Sequence, residues 1–78
     1  MNRKLKLIWD FRGRDAEKTA EHQAIHLKEF ALQEKLPFYE SNFTQLSENH
    51  SIAYIIVDES HMKIYRDTLK PHRGQLAE

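Results

Sequence analysis

The stretch "TAEHQAIHLKEF", residues 19–30, places His22 and His26 four apart, with Glu29 three further on. On a helix these three positions fall within roughly 60° of one another. Two imidazoles so spaced can grip one Zn²⁺, Ni²⁺ or Fe²⁺ ion, and a carboxylate one turn on can complete three ligands. Water held on such an ion ionises near neutral pH and attacks electrophiles. The pattern departs from the metalloprotease helix, because Gln23 stands where the general-base glutamate belongs. The plainer reading is a solvated polar stripe in which Glu29 pairs with a protonated His26. A divalent metal is the one cofactor these residues suggest.

A second candidate is the turn "DFRGRD", residues 10–15, where Arg12, Gly13 and Arg14 precede a helix start. Helix amides and two guanidinium groups can hold a phosphate or carboxylate, or by extension RNA. The turn lacks the repeated glycines of a dinucleotide loop or a P-loop. Asp10 and Asp15 offer the arginines partners within the turn itself. A base-stacking sheet is disfavoured, since alternation puts Trp9 and Phe11 on the face turned toward the helices. His50, His61 and His72 are scattered, with His50 in a turn and His72 beside Arg73 near the end. No serine has the context of a nucleophile elbow.

The elements that must position these residues are short and cleanly punctuated. The chain has 78 residues, no cysteine, two glycines and two prolines. It is one domain, residues 1–78, with a thin core; disulfides and thiolate metal sites are excluded. The absence of cysteine fits a cytoplasmic protein. No apolar run approaches the ~20 residues that span a bilayer. Net charge is zero but unevenly placed. Residues 1–14 carry five bases against one acid, residues 15–60 three against nine, and residues 61–78 four against two. A general nucleic-acid binder would be basic overall.

Residues 4–11 alternate, with Leu5, Leu7, Trp9 and Phe11 on one face and Ile8 among polar residues on the other, which predicts a strand. A helix follows from about Asp15, a candidate N-cap, to Leu36, ended by Pro37. Its apolar stripe is Ala16, Ala20, Gln23, Leu27, Phe30 and Ala31, with Ile25, Leu32 and Leu36 on nearly the opposite side. Residues 38–46 read as an edge strand. Residues 51–58 are apolar on both faces and read as a central strand. Residues 60–70 suit a second helix, closed by Pro71, and residues 71–78 read as a tail.

The order is β-α-β-β-α in an α+β fold. The first helix is taken as a crossover that makes the first and third strands parallel neighbours, giving a three-stranded mixed sheet of order 1-3-2 with both helices on one face. This topology resembles a ferredoxin-like fold without its last strand. The other face would then show Ile8, Ala53, Ile55 and Val57 to water, and the first strand would be an unpaired edge. Both features point to a homodimer.

The resulting expectation is a small homodimeric cytoplasmic interaction or ligand-binding module without catalysis. The alternatives are a divalent-metal protein using His22, His26 and Glu29, and anion or RNA binding through Arg12 and Arg14. Calorimetric titration of chelator-stripped protein with Zn²⁺ and Ni²⁺ separates the metal reading from the rest. Micromolar or tighter binding that His22→Ala abolishes would make the helix face a site; heats that the substitution leaves unchanged would remove it.

Overall fold

The computed structural model describes residues 3–77. The elements are β1 (Lys4–Arg12), α1 (Ala16–Gln33), β2 (Glu40–Ser47), β3 (His50–Asp58), a 3₁₀ turn (Glu59–His61), α2 (Met62–Leu69) and β4 (Arg73–Leu76). The sheet has four strands in the order β2-β3-β1-β4. Every neighbouring pair is antiparallel.

Several expectations are corrected here. The sheet is not three-stranded and mixed, and residues 73–76 of the expected tail are a strand. The parallel pairing of β1 with β3 fails for a simple geometric reason. The crossover helix joins β1 to β2, so those two run the same way, and β3 returns from β2 through the two-residue turn 48–49. β3 therefore lies antiparallel between them. β1 is no edge either, because β4 pairs along its other side. The edges are β2 and β4.

Directly opposed residues of an antiparallel pair share a face. Leu5, Leu7 and Trp9 of β1 oppose Val57, Ile55 and Ala53 of β3. All of these but the half-buried Leu5 form one buried cluster with Ala20, Ala24, Leu27 and Ala31 of α1 and Tyr65 of α2. Both helices thus cover this face. The alanines on α1 bring its backbone close to the sheet, and Ser41 on β2 donates from Oγ to the Ala24 carbonyl at 2.9 Å. The Trp9 indole N–H donates to the Leu69 carbonyl at 3.0 Å, fastening the end of α2 to β1.

The face assignment of β3 is therefore reversed from expectation. Ile52, Tyr54 and Ile56 share the open face with Ile8, while Ala53, Ile55 and Val57 lie under the helices. Nor is the open face bare. Ile8 is 2% and Ile52 5% exposed. Arg73 lies opposite Ile8, and Asp10 and Thr44 flank Ile52. The Lys6 ammonium sits 4.2 Å from the Tyr54 ring centroid, and the Tyr54 hydroxyl donates to Glu40 at 2.7 Å. Long polar side chains shield the isoleucines while their charged ends stay wet.

α1 ends before Pro37 acts. Lys35 takes a left-handed backbone with φ 56°. Its amide donates to Leu32 and that of Leu36 to Ala31, at 3.3 and 2.8 Å, which closes the last turn in Schellman fashion. Asp15 holds the N-cap position, but its side chain makes no capping bond. No helix among the described residues is long and apolar enough to cross a membrane.

The reversed faces have a direct test in urea denaturation. Ile55→Ala should cost about 2–5 kcal/mol by leaving a core cavity. Ile56→Ala, on the half-shielded face, should cost less than about 1.5 kcal/mol. Equal losses would contradict the register.

Candidate functional site

The polar alternates of β1 bring Asp10 to the open face, and three partners from distant parts of the chain meet it there. Arg73 grips the carboxylate with two bonds, Nε to Oδ2 at 3.0 Å and Nη2 to Oδ1 at 3.1 Å. His50 Nε2 lies 2.9 Å from Asp10 Oδ1. The Asp10 backbone N–H donates to His72 Nδ1 at 2.8 Å. The His72 amide in turn donates to the Ile8 carbonyl at 2.9 Å.

The electrostatics follow from these contacts. The Arg73 hydrogen bonds, helped by His50 and opposed by partial burial, hold the Asp10 carboxyl below the usual carboxylate range. An ionised Asp10 accepts from His50 Nε2–H, which leaves Nδ1 of a neutral His50 ring as its free lone pair. His72 accepts at Nδ1, so its neutral ring carries the proton at Nε2. The cluster ties β1, β3 and β4 together across the sheet.

This centre was missed in the sequence, where His50 read as a turn residue and His72 and Arg73 as tail. One faint signal was present. Asp10 is the lone acid among five bases in residues 1–14, and it lies on the non-core side of an alternating strand.

The residues singled out by spacing behave differently. His22, His26 and Glu29 are all exposed on α1. His26 Nδ1 lies 3.4 Å from Glu29 Oε1, with both side chains about two-thirds or more in solvent. Among the described residues no group of three or more His, Asp or Glu side chains is gathered to hold a metal ion. Arg12, Gly13 and Arg14 are exposed as well. Arg12 faces His50 across the β1–β3 ladder. The Gly13 amide, at φ 109°, donates to the Asn49 carbonyl at 2.8 Å and is not offered to a ligand.

A cleft of about 490 Å³ opens between α2 and β4 on the helix side of the sheet. Leu5, Leu7, Met62 and Leu76 supply its apolar walls, and Arg66 stands among the lining residues. Gly74 makes room for it. A Cβ there would meet only Leu7 Cδ2 at 3.5 Å and the Lys6 carbonyl at 3.7 Å. The volume falls in the range of small-ligand sites.

No protein-family model matches this chain, and no curated protein or solved structure shows significant similarity to it.

The Asp10 cluster makes a pH prediction with a definite sign. A carboxyl whose folded pKa is depressed contributes stability above its unfolded value, near 3.8, and loses it as pH falls through the folded value. Asp10→Asn should lower the melting temperature at pH 7, and the gap from the parent protein should close progressively below about pH 4. A gap that persists unchanged at pH 2 would show that Asp10 acts by shape and not by charge.

Proposed function

We propose that this chain is a small non-catalytic interaction or ligand-binding module whose binding site is the cleft between α2 and β4. The observation that carries the reading is the apolar hollow over Gly74, bounded by Leu5, Leu7, Met62 and Leu76. An apolar concavity with few polar groups is the default form of a ligand site. The Asp10 cluster supports this site by fastening β4, which is one wall of the cleft. With its partners mutually satisfied, the cluster reads as scaffold and not as an acid–base centre.

The β-α-β-β-α-β order with strands β2-β3-β1-β4 favours a ferredoxin-like assignment of the whole chain, with its last strand included. That likeness carries no function by itself. The absence of cysteine continues to favour a cytoplasmic setting.

The homodimer stays within the proposal on altered grounds. The open sheet face no longer argues for it. Ile25, Leu32, Leu46, Ile64 and Leu76 are each half or more exposed, which is much apolar surface for so small a chain. Divalent-metal capture by His22, His26 and Glu29 ranks below this reading. The exposed His26–Glu29 contact favours it only as a weakly organised surface site. Anion or RNA binding at Arg12 and Arg14 ranks lower still, because the Gly13 amide is already engaged.

Titration with octanoate, an apolar chain with one anionic end, followed by amide chemical shifts, tests the cleft. Leu5, Leu7, Met62, Gly74 and Leu76 should move together and saturably. Shifts scattered over the surface, or none at millimolar octanoate, would overturn the site. Sedimentation at micromolar concentration should give a mass of two chains, and a single-chain mass there would remove the dimer.

A further inference from the structure

The cleft is not closed at its outer side, because β4 is an edge strand with no neighbour beyond it among the described residues. The Ala77 amide donates to the Lys4 carbonyl at 2.9 Å. By the alternation of an antiparallel ladder, Leu76 and Gly74 turn their own N–H and C=O groups away from β1, toward the free edge. Both residues also lie on the helix side of the sheet, opposite Leu5 and Leu7. The hollow over Gly74 and the unused backbone groups therefore belong to the same two residues.

Charge adds a further constraint. The charged residues lining the cleft are Arg66 and Arg73, with no carboxylate among the lining residues. Arg66 meets Asp67 by a single exposed contact of 3.3 Å, which holds it weakly. Arg73 lies on the open side of β4, half exposed, with its guanidinium on Asp10. A guanidinium thus flanks β4 on each face, with that of Arg73 already shared with Asp10.

We propose, building on the cleft reading above, that β4 receives an extended peptide as a fifth, antiparallel strand. The peptide alternates apolar and acidic residues. Its apolar side chains enter the cleft opposite Gly74 and Leu76, and its acidic side chains fall on the open side beside Arg73 and Gln75. Backbone bonds along the edge supply affinity, and alternate side chains supply selectivity. Opposite-charge neighbours across a ladder add to this and like charges subtract from it.

The geometry fixes which peptide amides matter. Residues opposite Gly74 and Leu76 sit in hydrogen-bonded pairs, so the apolar residues of the peptide donate to the edge and the acidic ones do not. The probe is a capped, fluorescein-labelled hexapeptide alternating valine and glutamate, read by fluorescence polarisation. It should bind saturably and move the amides of Gly74 and Leu76. N-methylation of its valines should abolish binding, while N-methylation of its glutamates should leave it within about twofold. Replacing the glutamates by lysines should weaken binding about fivefold or more, and raising the salt concentration should narrow that difference.

Equal loss from either N-methyl set would overturn the strand pairing. Failure of the peptide to bind while octanoate still moves the cleft amides would overturn the peptide and leave the cleft as a small-molecule site. Failure of both would remove the cleft reading as well. A two-chain mass in which the Gly74 and Leu76 amides are already protected from exchange would assign the edge to a second copy of this chain, against the proposal.

Discussion

β1 runs through the interior of the sheet with both backbone edges in use, β3 along one and β4 along the other. That double pairing is the constraint on which the remaining features depend. It sets which side chains of β3 share a face with Leu7 and Trp9, and so where the helices dock. It also lets a four-residue strand persist, since among the described residues β4 pairs with β1 alone. So short a strand holds few ladder bonds, and the side-chain clamp from Arg73 and His72 onto Asp10 supplements them. A paired, half-shielded carboxylate of this kind contributes more than a solvent-exposed ion pair, because less of its field is lost to water.

The two sets of histidines illustrate how surroundings decide chemistry. His22 and His26 have favourable spacing but stand in solvent on one face of α1, where His26 meets the equally exposed Glu29 at 3.4 Å. His50 and His72 are 22 residues apart in the chain, yet each has one ring nitrogen committed to Asp10. Fixed tautomers and a depressed carboxyl often mark a catalytic centre. Here the partners satisfy one another and join three strands, so the arrangement serves β4 and the cleft that β4 borders.

Gly74 is the residue on which the proposed binding surface turns. Opposite Leu7, it removes one side chain from an otherwise continuous apolar layer between β1 and α2. The gap lies at the sheet edge, where outward-facing backbone groups also lie. Edge strands are commonly blunted by charge or by covering structure. β4 has arginines at its flanks and no cover among the described residues, which leaves the edge accessible to a partner of opposite charge.

Much of this was legible from local pattern alone. Alternation in "KLKLIWDF" predicted β1 and its core face, and the alanine stripe predicted the docking side of α1. Gly13 and Pro71 marked boundaries between elements, whereas Gly74 lies inside β4 and α1 closes at Lys35, ahead of Pro37. These are properties of neighbouring residues, and the periods of strand and helix encode them directly. Three features were decided only in three dimensions. β3 is apolar on both sides, so its sequence does not say which face meets the helices; the antiparallel register with β1 does. The segment "RGQL" has too few residues for a strand signal, and it becomes one because β1 offers an open edge and Asp10 a clamp. The Asp10–His50–His72–Arg73 cluster joins residues up to 63 apart in the chain. No spacing rule reaches that far, because those contacts are created by strand order and not by the chain between them.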